Sequence, residues 1–370
     1  MSKYHIVLPA NQKDGYVPYN VVDFEMSFEG RSLVNNTLRL LFDVAFENTP
    51  DLTKVCAYDP FVGGHAFIDR VDISTANSGV IENMSEYGRY ISAVAKASLT
   101  VEDVGFNSQY VCEGRTASID LADRILKGSA DVSASEGAYN ANLTKPLDVS
   151  LKLDCALNNM VGVSSLPFVK SGVIRLSVQL AKPTSALFGD EASLNYKLQN
   201  MRVMFISVPD SGVYAPSYQM RVKTCLPQSI ASSYVNISTR APIVADSMFA
   251  TFIQQSHLDN ATFNSLQNEI VPLIEELEFI WQDNMSTMFT YQLDNQTDIL
   301  ENYIKSVNRV LSTNSCSLAR LSSSDSFGIG LTFNEYVDLS KTKLGLNLKS
   351  GLSSSTPFLM YLFFSGLIQL

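Results

Sequence analysis

Charge is scarce in this sequence: 17% of its 370 residues are Asp, Glu, Lys or Arg, against roughly 25% in an ordinary soluble protein. Basic residues number 27 against 37 acidic ones, a net charge of −10. Lys and Arg form no cluster, so the footprint of a nucleic-acid-binding domain is missing and the net field repels phosphate. Histidine is rarer still, with only His5, His65 and His257 spread along the chain. The five cysteines, Cys56, Cys112, Cys155, Cys225 and Cys316, are odd in number, scattered and without a CxxC. That spacing argues against a disulfide framework or a structural zinc site and for reduced, mostly buried thiols. Long apolar runs are also lacking. The most apolar stretch, residues 358–370, is interrupted by Ser365 and Gly366 and falls short of the ~20 residues of a membrane-spanning helix. Residues 1–9 offer only Ile6, Val7 and Leu8 as an apolar patch, so no signal peptide is expected and synthesis in a reducing cytoplasm fits. No GxSxG, Walker A, helix-leading GxGxxG, HExxH or EF-hand loop occurs.

What the sequence does contain is apolar and aromatic: 46% hydrophobic residues and 10% Phe, Trp and Tyr, which excludes disorder and collagen-like repeats. A chain of this length has room for two domains. Short β-rich segments bounded by Gly, Pro, Asn, Asp or Ser recur throughout. In the first half they cover residues 21–28, 38–46, 66–73, 79–82, 147–153 and 173–180. The last two alternate with period two, as strands with one buried and one wet face do. A polar, small-residue stretch at 183–193 reads as a connector. Beyond it, strands are expected at 201–208, 218–224, 234–238, 248–253, 277–281, 288–293, 327–333, 344–348 and 358–368. Two successive series of short strands favour two tandem β-sandwiches over one large barrel. No repeat between the halves is visible.

Three helical insertions are expected. Residues 298–311 place Leu300, Tyr303, Ile304, Val307, Val310 and Leu311 on one face at 3-and-4 spacing, with Thr297 or Asp298 available as N-cap. Residues 85–98 do the same with Tyr87, Tyr90, Ile91 and Val94, although Gly88 weakens that helix, and 119–126 is a shorter third.

Candidate chemistry is thin. His65 follows Gly63-Gly64 near Asp59 and Asp69, a setting for metal or acid–base work; a turn histidine at a strand entrance is the reading its isolation favours. Glu269, Glu275, Glu276 and Glu278 could supply the paired carboxylates of a glycosidase, or form a solvated approach to a strand, which is favoured. Gly328-Ile329-Gly330 is too short for a phosphate loop and reads as a strand with close backbone packing. No catalytic, cofactor-binding or metal-binding residue is assigned. The aromatics suit sandwich cores and subunit contacts. A surface of Ser, Thr, Asn and Gln suits extensive contact with copies of the same chain.

The order of segments resembles the double jelly-roll major capsid proteins of the adenovirus, tectivirus, virophage and polinton-like virus lineage. In the first half the likeness rests on Asn36-Thr37-Leu38-Arg39-Leu40, on Pro60-Phe61-Val62-Gly63-Gly64-His65-Ala66-Phe67-Ile68, on Ile81-Glu82-Asn83-Met84 ahead of the Tyr87/Tyr90 helix, and on Gly172-Val173-Ile174-Arg175-Leu176. In the second half residues 194–203 resemble the opening strand of a second jelly roll. Asp246-Ser247-Met248-Phe249-Ala250-Thr251-Phe252, the segment from Pro272-Leu273 to Phe279, and the apolar terminal strand are similar too. The resemblance implies an all-β chain of two tandem eight-stranded jelly rolls, with residues 1–19 as an N-terminal arm, 20–185 as the first roll and 186–370 as the second. It implies a virion subunit without enzymatic activity that trimerises into a pseudo-hexagonal capsomer and tiles an icosahedral shell. Neighbouring capsomers, penton and minor capsid proteins are the implied partners. With a charge of −10, no direct contact with the DNA is expected; other proteins or an internal membrane would lie between. The alternatives are a carbohydrate-binding or carbohydrate-active β-sandwich, and a vertex subunit, which two equal sandwiches argue against.

Overall fold

The computed structural model describes residues 1–46, 56–57, 59, 62–98, 147–189, 195–269, 271, 274–282, 287–293, 295–308, 327–353 and 355–370. The expected helix at 119–126, Cys112, Cys316 and the end of the 183–193 connector lie outside them. Thirteen strands precede residue 210: β1 (Lys3–Val7), β2 (Val21–Met26), β3 (Arg31–Val34), β4 (Arg39–Phe46), β5 (Cys56–Ala57), β6 (Ile68–Thr75), β7 (Gly79–Met84), β8 (Leu147–Lys152), β9 (Met160–Val161), β10 (Ser165–Pro167), β11 (Ile174–Leu180), β12 (Phe188–Gly189) and β13 (Tyr196–Pro209). Eight follow: β14 (Gln219–Ile230), β15 (Tyr234–Thr239), β16 (Val244–Gln254), β17 (Glu276–Gln282), β18 (Thr287–Leu293), β19 (Ile329–Asp338), β20 (Lys343–Lys349) and β21 (Phe358–Gln369).

Their pairing makes two jelly rolls with one wiring. In the later half one sheet runs β14-β21-β16-β19 and the facing sheet β15-β20-β17-β18. The earlier half repeats this order with β1-β13-β4-β8 facing β2-β11-β6-β7. In each roll the last strand therefore lies beside the first, and every named pairing is antiparallel. Alternation does what period two requires: β11 buries Ile174, Leu176, Val178 and Leu180 and turns Arg175 out. Strand β3 continues into β4 through Asn35 to Leu38, where Asn36 takes a left-handed φ of 66°, a conformation asparagine tolerates better than most residues.

Two expectations need correction. Residues 1–19 are not a free arm: Lys3–Val7 pairs with Val203–Ser207 and forms the first strand of the first roll. Residues 196–203 do not open the second roll, because β13 is hydrogen-bonded to β4, β3 and β1 and closes the first. Sequence puts β1 and β13 about 200 residues apart, so no local pattern couples them. The polypeptide moreover crosses between the rolls more than once: β9, between β8 and β10 of the first roll, adds to the second roll's sheet beside β14.

Helix α1 (Tyr87–Ser98) follows the fifth strand of the first roll, and α2 (Gln296–Asn308) follows the fifth strand of the second. The two helices touch. In α2, Ile299, Leu300, Tyr303 and Val307 are buried as the spacing predicts. Its N-cap is Asn295, whose Oδ1 accepts the Asp298 N–H at 2.9 Å, not Thr297 or Asp298. Gly328 and Gly330 allow α2 to lie on β19, since a Cβ at either would come within 2.4 Å of the Tyr303 ring or 2.0 Å of Ser306 Oγ. The close-packed strand read from these glycines is what the structure contains.

β21 is paired along both edges, to β14 and β16, and supplies Met360, Tyr361, Leu362, Phe363 and Phe364 to the core. Deleting residues 358–370 is expected to abolish cooperative thermal unfolding. Truncating buried Phe249, which packs on Phe363 at a 5.0 Å centroid distance, to alanine is expected to cost ~3–5 kcal/mol in chemical denaturation. A truncated chain that stays soluble and melts cooperatively would contradict this placement.

Candidate functional site

The sequence assigns no site residue, and polar chemistry and apolar surface concentrate in particular places of the fold. Two emerge: the seam between the rolls and the outer edge of the first roll.

At the seam, α1 is buried on more than one side. Tyr87, Tyr90, Ala93, Val94 and Ala97 face apolar neighbours, yet Arg89, Ser92 and Lys96 are buried as well. They reach three successive carbonyls of the second roll. Arg89 donates to Ser265 O and Gln267 O, and Ser92 Oγ donates to Leu266 O at 2.6 Å, with Lys96 Nζ nearby at 3.5 Å. The Arg89 guanidinium also lies over the Tyr361 ring, 4.4 Å from its centroid. Gly88 brings this helix close to the chain before β6, where a Cβ would lie 3.4 Å from the backbone oxygens of His65 and Ile68.

Below α1 a second set of charges is buried. Lys223 of β14, 1% exposed, forms an ion pair with Asp154, which lies just after β8. Tyr90 OH donates to Asp154 Oδ2 at 2.8 Å, and Asn159 Nδ2 donates to Oδ1 at 2.6 Å. Glu82 of β7 accepts the Ala156 N–H at 2.6 Å and the Lys223 N–H at 2.9 Å, one on each carboxylate oxygen. Burial pushes the Glu82 carboxyl up to about 7, against the pull of Lys223. Burial would raise Asp154 too, but the Lys223 ammonium and the hydrogen bonds from Lys223, Tyr90 and Asn159 outweigh it and hold that carboxyl below its ordinary value. Cys155 is driven up to about 12, chiefly by burial, and is a poor nucleophile.

His65 belongs to the rim of this cluster. Its Nδ1 lies 3.2 Å from Tyr87 OH, which takes the Asp154 N–H at 2.9 Å and so has its own proton to give the ring. Burial drives His65 down to about 4, opposed by Asp154, which matches a neutral imidazole. Asp59 is engaged elsewhere, with Lys96 at 2.8 Å and Asn264 at 2.8 Å, and burial raises Asp69. Among the described residues no group of three or more His, Cys, Asp or Glu is placed to hold a metal.

The four glutamates do not converge as a carboxylate pair. Glu269 accepts from Gln254 N at 2.6 Å and pairs with His257 Nδ1 at 2.5 Å. Glu275 and Glu276 share exposed Lys349, and Glu278 accepts from Asn347 at 2.6 Å. Each is committed to a structural partner.

The outer edge is β1. It is hydrogen-bonded to β13 and, among the described residues, to no strand on its other side. His5 turns inward, against Phe28 and Phe205. Tyr4, Ile6 and Leu8 point out, 74%, 63% and 56% exposed. An unpaired strand with an apolar outward row is a surface that natural monomers avoid.

No protein-family model and no curated relative matches the sequence. Solved structures do. The Faustovirus major capsid protein matches at TM-score 0.60 and 8% identity over 100% of this chain and 90% of that one. The PBCV-1 virus capsid matches at TM-score 0.59 and 11% identity, covering 100% of this chain and 94% of that one. The mavirus major capsid protein matches at TM-score 0.52 and 8% identity, over 99% and 88% of the two chains. This is the double jelly-roll fold. The expected all-β class with helical insertions holds among the described residues.

Within the double jelly roll, Glu82 and His65 give opposite pH dependences. Glu82 is raised from 4.5 to about 7, so its contribution to stability is full below pH 4.5 and fades as pH rises towards 7. His65 is lowered from 6.5 to about 4, so its contribution is full above pH 6.5 and fades as pH falls towards 4. The two slopes oppose each other in the wild type. Between pH 4.5 and 6.5, Glu82→Gln is expected to make stability rise with pH more steeply than in the wild type, and His65→Asn to make it fall. Urea midpoints measured across that range check both; parallel profiles for all three proteins would remove the assignment.

Proposed function

We propose that this chain is the major capsid subunit of an icosahedral virus and that its work is mechanical association. The observation that carries the proposal is the whole-chain correspondence of both rolls, in order, with solved major capsid proteins. The free edge of β1 supports it. Tyr4, Ile6 and Leu8 form a row that a neighbouring copy would cover, and burial of such apolar area at roughly 25 cal/mol per Å² drives association. In this reading the subunit is a homotrimer with a pseudo-hexagonal outline, its units being residues 1–209 and 218–370. Neighbouring capsomers, a penton protein and minor capsid proteins complete the shell. The subunit is located in the virion and turns over no substrate. A net charge of −10 keeps free subunits apart from nucleic acid and from each other until apolar contacts form.

Light scattering on purified protein is expected to give three times the mass of one chain, and negative-stain images a six-sided outline. A strictly monomeric protein that binds glycans would overturn the proposal in favour of a carbohydrate-binding sandwich. Ile6→Asp, which places a charge in the outward row of β1, is expected to weaken the trimer by tenfold or more. It should leave the thermal midpoint of the dissociated chain within a few degrees. Unchanged trimer affinity would move the interface away from this strand.

A further inference from the structure

We propose that Lys223 and Asp154 condense into an intramolecular isopeptide bond that joins the two jelly rolls, with Glu82 as the proton-transfer group. The inference is independent of the shell reading, since it concerns one chain and is tested on its mass.

The juxtaposition has the parts such a reaction needs. The nucleophile and electrophile are already in contact, Lys223 Nζ on Asp154 Oδ1, so no entropy of encounter remains to be overcome. The amine is 1% exposed, and Tyr90 provides an aromatic floor 5.6 Å from it. Holding two opposite charges there is costly, whereas an amide in their place is neutral. Tyr90 OH already donates to Oδ2 at 2.8 Å, where negative charge accumulates when the carboxyl carbon becomes tetrahedral. Glu82 is a third buried carboxyl, set against the backbone of the segments that carry Asp154 and Lys223. Two backbone N–H groups on either side of the reacting pair, at Ala156 and Lys223, fix it in place. Asp154 keeps 19% of its side chain exposed, an exit for the product water.

The steps balance. Within the ion pair the ammonium passes one proton to the Asp154 carboxylate, leaving a neutral amine and a neutral acid. The Nζ lone pair attacks Cγ, and Tyr90 OH stabilises the developing oxyanion on Oδ2. Glu82 takes a proton from the now cationic nitrogen and delivers it to the departing hydroxyl. The Nζ–Cγ bond forms, the Cγ–Oδ1 bond breaks, and one water leaves; nothing is oxidised or reduced. Glu82 ends as it began, so the event is a single turnover. General acid–base assistance of this kind is worth roughly 10²–10⁴-fold in rate.

Mass spectrometry of a tryptic digest of the unreduced, fully denatured wild-type chain tests this directly. The expected product is a branched species, one water lighter than its parts, joining residues 153–170 to residues 222–240, with no cleavage after Lys223. Lys223→Arg, which keeps the charge, should yield only linear peptides. Glu82→Gln should form the branch roughly 100-fold more slowly. Linear peptides from the wild type after prolonged incubation at neutral pH would overturn the proposal. So would a branch mapped instead to the other buried pair, Asp59 and Lys96. Wild-type linkage rates in Glu82→Gln would refute the role given to Glu82. The wild-type digest decides the main question even where a variant does not fold.

Discussion

Charge buried at the seam between two sandwiches is the constraint around which the molecule is arranged. An uncompensated ion there would cost several kcal/mol, so each one brings its partners with it. Arg89, Ser92 and Lys96 of α1 reach the carbonyls of residues 265–267. Lys223 of the second roll meets Asp154, and Glu82 takes N–H groups from both rolls. These contacts are directional, unlike the hydrophobic contacts around them. They fix the register of one roll on the other, a role apolar packing alone fills less well. The helix at the seam is thereby held by both rolls.

Much of the fold could be read from local pattern because strands and helices announce themselves by period. Residues 38–46, 173–180 and 344–348 alternate as half-buried strands must, and lie within a residue or so of β4, β11 and β20. The 3-and-4 spacing of Leu300, Tyr303 and Val307 located α2. Pairing is different, since it joins residues far apart. Lys3–Val7 carries three consecutive apolar residues with Leu8, a weak signal easily taken for an extended arm, and only its partner β13 makes it a strand. The same non-locality sent residues 194–203 to the wrong roll.

The seam cluster was less legible. His65 stood out for its rarity, but its environment is neutral and structural. Glu82, Asp154 and Lys223 sit in three strands or their ends, with nothing in the spacing to associate them. Period two places Lys223 with Arg221 on the face opposite Met220 and Val222, so the local pattern gives it a wet face and no anion. That β14 is covered at Lys223 by the other roll, burying both Val222 and Lys223, is a tertiary fact. The two rolls share one wiring without a visible sequence repeat for the same reason, because wiring is a pattern of partners and not of residue types.

The path of the chain through β9 has a consequence for how the molecule bears load. From β8 it passes to the second roll, returns at β10, and passes over again between β13 and β14. The seam is therefore spanned twice, by the covalent link between β13 and β14 and by a two-residue strand of the first roll's chain hydrogen-bonded into the second roll's sheet. A pull that tends to part the rolls is shared between a covalent tether and a short stretch of strand pairing, and a cut between β13 and β14 leaves the halves joined by the pairing of β9 and by the packing of the seam.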